Sequence, residues 1–259
     1  MTAPARANQH FASPKPKPTY YGAPVGILMF ERPRDSFDRP FIPGSVGNAS
    51  TWSVPVRYKT MPGLNFSRIL GPEVGDVAEI VARAAAELAD EGAQLITSNC
   101  GFMIRYQEAV RRAVDVPVLL SSLLLGPFLE RLLPRGKALG IITAKASSLS
   151  PDLVELAGLR TNSERVVVSG LEDAPAFAAA WLSCNGDLDM AAVESETVEA
   201  AVTLLETRPD IGTLLLECSE LPPYSAAVQQ ATGIPVFDFT SMVEFFIRGL
   251  IRRPFTGIG

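Results

Sequence analysis

Short apolar runs alternate with stretches of helical period along most of the chain. Val25–Phe30 is apolar throughout, as a strand covered on both faces must be. In residues 72–91, Val77, Ile80, Val81, Ala84 and Leu88 share one helical face, and Gly92 stops that helix. Gln94–Ser98 reads as the next strand, Met103–Val114 as a helix, and Pro117–Leu120 as a strand. Ser121 and Ser122 then supply an N-cap for a helix reaching Leu133. The order restarts with strands at Leu139–Thr143 and Arg165–Ser169, helical stretches at 174–182 and 187–207, and a strand that ends at Cys218. A helix at Tyr224–Thr232, a strand at Pro235–Phe239 and a last helix at Ser241–Ile251 follow. Phe66–Leu70 has the composition of a further short strand. Glu31 to Gly63 carries Pro33, Pro40, Pro43, Pro55 and Pro62 and predicts a long irregular segment. Leaving the carboxyl end of the first strand, this segment is placed to act as a lid or pocket wall, with Arg39, Asn48, Thr51 and Arg57 as its polar candidates.

The chain also repeats itself. Leu95-Ile96-Thr97-Ser98-Asn99-Cys100 is matched by Thr213-Leu214-Leu215-Leu216-Glu217-Cys218, and the separation of those two cysteines, 118 residues, aligns the halves without a gap. In that register Tyr106 meets Tyr224, Val110 meets Val228, Pro117 meets Pro235, Phe128 meets Phe246 and Leu132 meets Leu250. A duplicated α/β unit follows. Strands alternating with helices across short links predict parallel sheets covered on both faces. Two such sheets facing each other about a pseudo-twofold axis are preferred to one eight-stranded sheet.

Composition narrows the function. Of 259 residues 47% are hydrophobic, enough for one large or two small domains, and the net charge of −5 argues against a nucleic-acid partner. No apolar run approaches the ~20 residues a membrane span requires. Residues 1–19 are polar and proline-rich and read as a disordered tail without a secretory leader. The one histidine, His10, lies in that tail, so Ser-His and Cys-His hydrolase chemistry is set aside. Three cysteines do not make a disulfide framework, and none has metal-ligand spacing; reduced thiols and a cytoplasmic location are expected, with no metal.

Cys100 and Cys218 each follow an apolar strand and precede a helix. Helix N-termini favour the thiolate, and a thiol with a modestly lowered pKa is a usable base near neutrality. Two thiols meeting at one ligand suit removal of a proton from carbon on one face and its return on the other, with no cofactor. Cys184 has no partner in the repeat and reads as structural. Thr143, Ser147 and Ser148 follow the first strand of the second half and could donate to a ligand.

At these residues the chain resembles the aspartate/glutamate racemase superfamily, which includes amino-acid and hydantoin racemases, maleate isomerases and arylmalonate decarboxylases. The resemblance is carried by Thr97-Ser98-Asn99-Cys100-Gly101-Phe102, Pro117-Val118-Leu119-Leu120-Ser121-Ser122 and Leu216-Glu217-Cys218-Ser219-Glu220, with Pro43 to Tyr58 similar to one sub-group. It implies two flavodoxin-like domains, residues 20–122 with 240–259 and residues 123–239, with the active site in the cleft between them. It implies Cys100 and Cys218 as the acid/base pair, Asn99 and Ser219 as carboxylate contacts, and Ser121 and Ser122 as further ones. Gly101, Asn48 and Thr143 complete the candidate substrate-binding set. The implied activity is cofactor-independent racemisation or epimerisation of a small carboxylate by a homo-oligomer, expected to be a dimer. A maleate-isomerase-like reaction at one cysteine and a non-catalytic ligand-binding protein are the alternatives. Gly101-Phe102 stands where characterised racemases place Asn-Thr, and Phe30-Glu31-Arg32 where they place Asp-Ser, which loosens any assignment to glutamate or aspartate.

Overall fold

The structure is a computed structural model and describes residues 22–31, 42–71, 74–160, 163–183, 188–255 and 257. The expectations for the 1–19 tail with His10, for Arg39 and for Cys184 lie outside the described residues. Two four-stranded parallel sheets organise the chain. The first contains β1 (Val25–Phe30), β2 (Val56–Met61), β3 (Leu95–Ser98) and β4 (Val118–Leu119), in the order β2-β1-β3-β4. The second contains β5 (Ala138–Thr143), β6 (Val166–Gly170), β7 (Ile211–Leu216) and β8 (Val236–Phe237), in the order β6-β5-β7-β8. The order is the same in both. Ile96 pairs with Val118 across β3 and β4, and Leu214 pairs with Val236 across β7 and β8, the same pairing one repeat later. The two-sheet α/β expectation therefore holds.

The helices are α1 (Phe66–Leu70), α2 (Val74–Asp90), α3 (Gln107–Ala113), α4 (Gly126–Leu132), α5 (Pro151–Leu156), α6 (Pro175–Phe177, continued by a π turn at Ala178–Leu182), α7 (Met190–Thr207), α8 (Ser225–Thr232) and α9 (Phe239–Leu250). In α2 the fully buried positions Val77, Val81, Ala85 and Leu88 recur at helical spacing. That stripe seats the helix on the first sheet so closely that a Cβ at Gly26 of β1 would come 3.0 Å from the Leu88 side chain.

Two helices cross between the halves. Helix α4 follows β4 yet meets the second half: a Cβ on Gly126, its first residue, would come 2.6 Å from Leu159. Helix α9 follows β8 yet buries Phe239, Met242, Val243 and Ile247 in a cluster with Val25, Ile27 and Leu95 of the first sheet. Asp238 fixes the start of α9 with a capping box, accepting from Ser241 N at 2.8 Å. The remaining core is one cluster with members from both sheets.

Two expectations are corrected. Phe66–Leu70 is a helical turn and not a strand, because Asn65 caps it by accepting from Arg68 N at 3.0 Å. A five-residue apolar run carries no period long enough to separate the two. The segment expected to be irregular contains β2. This edge strand, Val-Arg-Tyr-Lys-Thr-Met, is only partly buried, and its cations face α2, where Arg57 pairs with Glu91 at 2.7 Å and Lys59 pairs with Glu87. A central strand would have shown an apolar run; an edge strand need not. Among the described residues, no helix is long and apolar enough to cross a membrane.

Candidate active site

Strands β3 and β7 occupy the same place in their sheets, and each ends by turning its last residues into the space between the halves. After β3 the chain runs Asn99, Cys100 and then a 3-10 turn at Gly101–Tyr106 that leads into α3, with Cys100 at the N-cap position. After β7 it runs Glu217, Cys218, Ser219, and a 3-10 turn at Pro222–Tyr224 leads into α8. Neither cysteine is in a disulfide; they are 7% and 9% exposed, and both line one cavity of about 100 Å³.

Hydrogen bonds hold the two cysteine turns to each other. Ser219 Oγ donates to Asn99 O at 2.5 Å, joining the second turn to the first. Ser122 Oγ donates to Glu217 O at 3.1 Å. Asn99 Oδ1 accepts from Phe30 N at 3.1 Å, which anchors the first turn to the end of β1, while Asn99 Nδ2 is buried without a partner among the described residues. Glu217 is fully buried. Its Oε2 accepts from Thr143 Oγ1 at 2.7 Å, and its Oε1 has no partner among the described residues. That Oε1 lies against Gly101, where a Cβ would come within 1.8 Å of it. Glycine is therefore required beside Cys100 by the close approach of Glu217 from the other half.

Burial dominates the electrostatics. It pushes the Glu217 carboxyl up to about 7, against the opposing hydrogen bond from Thr143. Burial also pushes the Cys218 thiol well above the usual thiol range, and the nearby Glu220 and Glu217 carboxylates push it further. The expectation that a helix N-terminus would favour the thiolate at both cysteines is thus corrected at Cys218: desolvation and two carboxylates outweigh the turn that follows it.

Of the expected site residues, Asn99, Cys100, Gly101, Cys218 and Ser219 line the cavity. The other four do not line it. Ser121 caps the turn after β4 by accepting from Leu123 N, Ser122 supports the backbone of the second turn, and Thr143 stands behind Glu217. Asn48 spends its side chain on Ile42 O and on Ser50, in a loop that packs beside α9.

The rest of the wall was not foreseen. Phe30, Phe66, Phe102 and Trp181 supply aromatic surface, with Phe66 and Phe102 edge to face at 5.8 Å. Glu31, Glu217 and Glu220 supply carboxyl groups, and no lysine or arginine is among the described residues of the lining. The aromatics come from four separate stretches of chain, and no local pattern joins them. Glu217 did carry a signal: it is a charged residue closing an apolar strand, one repeat from Asn99. Among the described residues, no group of three His, Cys, Asp or Glu is arranged to hold a metal ion.

Known proteins match this chain in sequence and in fold. The family model of the AroM protein matches residues 67–133. A dimethylsulfoniopropionate lyase of Durusdinium sp. clade D is 32% identical over 222 residues, covering 84% of this chain and 73% of that one. Dimethylsulfoniopropionate lyase 7 of Emiliania huxleyi is 32% identical over 246 residues, covering 90% and 71%. Among solved structures, glutamate racemase RacE1 from Bacillus anthracis matches with a TM-score of 0.57 at 15% identity, over 88% of this chain and 81% of its own. A mutant of arylmalonate decarboxylase matches with a TM-score of 0.56 at 18% identity, over 88% and 92%. The structural matches share the fold, and the sequence matches go further: the chain belongs to the enzyme family of the dimethylsulfoniopropionate lyases.

Proposed function

We propose that the protein removes the proton next to the carboxylate of a small substrate with a cavity thiolate, and that a dialkylsulfonium group on the neighbouring carbon then leaves. The observation that carries this reading is the composition of the cavity wall: two thiols, four aromatic rings and three carboxyl groups, with no cationic side chain among the described lining residues. A dicarboxylate would leave a second negative charge unpaired there, at considerable cost. A sulfonium cation instead finds aromatic faces and carboxylates, the surroundings that favour onium groups. The names of the relatives, dimethylsulfoniopropionate lyases, point to the same substrate class.

The chemistry closes without a cofactor. Cys100, as thiolate, takes the proton from the carbon next to the carboxylate. The electron pair of that C–H bond forms the carbon–carbon double bond as the carbon–sulfur bond breaks. The sulfur leaves with its pair as a neutral dialkyl sulfide, and an unsaturated carboxylate remains. Burial and the neighbouring carboxylates hold Cys218 as a neutral thiol, so Cys100 and not Cys218 is the base of this step. The two structural halves, residues 20–122 with 240–259 and residues 123–239, each contribute one thiol on this reading. Incubation with dimethylsulfoniopropionate is expected to release dimethyl sulfide and acrylate in equal amounts. The absence of both would remove the elimination.

A second reading, racemisation or epimerisation, is favoured by one specific feature. A neutral thiol from the second half shares the cavity with Cys100, and simple elimination does not require it. Loss of optical activity from a chiral carboxylate that has no leaving group, without release of any fragment, would select that reading.

A further inference from the structure

The residues that precede the two cysteines, Asn99 and Glu217, are equivalents one repeat apart, and they do equivalent things. Each side chain is anchored by one oxygen to the neighbouring inner strand of its own sheet: Asn99 Oδ1 to Phe30 N of β1 at 3.1 Å, Glu217 Oε2 to Thr143 Oγ1 of β5 at 2.7 Å. Each then leaves its other polar atom buried and, among the described residues, unpartnered: Asn99 Nδ2 and Glu217 Oε1. Both residues line the cavity that holds the thiols, Asn99 4% and Glu217 0% exposed. Buried polar atoms are rarely left unpaired, and two at matched points of one cavity call for a common partner.

We propose that Asn99 and Glu217 form a paired clamp for the substrate carboxylate, the amide donating to one oxygen and Glu217, in its protonated form, donating to the other. This rests on the proposed carboxylate substrate and adds the group that recognises it. A carboxylate has two acceptor oxygens and no donor, so an ionised Glu217 would repel it and a protonated one binds it. Burial supplies the protonated form by pushing the Glu217 carboxyl up to about 7. The contacts also strengthen as the reaction proceeds, because negative charge builds on the carboxylate when the neighbouring proton departs.

Several ionisable groups face the same space: Cys218 and Glu220 from its own turn, Cys100 from the turn after β3, and Glu31 from the end of β1. A test must therefore separate Glu217 from them. Propanoate, which has no leaving group, serves as the probe, with its Kd measured by calorimetry between pH 5.5 and 9. Wild-type Kd is expected to be level below pH 7 and to rise about tenfold for each pH unit above it, since one proton must be held for binding. Glu217→Gln keeps a donor that cannot ionise, so its Kd should stay level across the range while the other four groups remain in place. Thr143→Val removes the hydrogen bond that favours the ionised form, so the bend in its curve should move to higher pH. A Glu217→Gln curve that keeps the wild-type bend, or a Thr143→Val curve whose bend does not move, overturns the clamp while leaving the carboxylate reading in place. No propanoate binding by wild type at any pH removes the carboxylate reading and the clamp with it.

Discussion

Replacing Glu217 with glutamine removes a buried carboxyl while keeping the size of the side chain, and the structure fixes how the effect must depend on pH. In the unfolded chain this carboxyl releases its proton near 4.5; in the folded protein burial delays release to about 7. Between those values the folded state holds more protons than the unfolded state, so stability falls as pH rises and levels off above about 7. At ~1.4 kcal/mol per pH unit, the interval between those two values amounts to about 3 kcal/mol, most of it lost between pH 5 and pH 8. Glutamine carries no such penalty. Any constant cost of its unpaired amide is the same at both pH values and cancels in the comparison. At ~2–4 °C per kcal/mol for a chain of this size, the Tm of Glu217→Gln relative to wild type should rise by roughly 5–10 °C on going from pH 5 to pH 8. Calorimetric Tm measurements on both proteins across that range decide the matter. Curves that run parallel would refute the reasoning, because they would mean Glu217 ionises alike in the folded and unfolded states.

Two further substitutions test the frame around the site. Gly101→Ala places a methyl 1.8 Å from Glu217 Oε1 and 2.7 Å from its peptide oxygen, so one turn must move; a loss of about 1–3 kcal/mol in urea denaturation and a fall in turnover are expected. Asp238→Ala removes the cap of α9, together with its bonds to Ser225 and Thr240. It should cost about 1–2 kcal/mol in the same assay and leave the pH dependence of activity unchanged.

Duplication made the fold readable in the sequence. A pattern that recurs at 118 residues places Cys100 and Cys218 at matched strand ends, and the apolar runs of β1, β3, β5 and β7 announce buried parallel strands. Elements lacking such a pattern were hidden. Strand β2 lies at a sheet edge, where polar residues such as Arg57 and Lys59 serve as well as apolar ones. Helix α1 is one capped turn, too short to show a period. The same division applies to the site. Asn99, Gly101 and Ser219 adjoin the cysteines and were identified with them, whereas Phe66, Phe102 and Trp181 reach the cavity only through tertiary packing. Thr143, Ser121 and Ser122 were recognised as placed near the site. Their hydroxyls nonetheless bond to the protein itself, a division of labour that depends on which neighbour is within hydrogen-bonding distance and that spacing does not encode.

The account depends on Cys100 removing the proton next to the substrate carboxylate. Its most direct test is the rate of dimethyl sulfide release from dimethylsulfoniopropionate, compared between wild type, Cys100→Ser and Cys218→Ser. General acid–base groups contribute ~100-fold or more to such steps, so Cys100→Ser should lose at least about 100-fold and Cys218→Ser much less. Release at the wild-type rate from Cys100→Ser would contradict the account.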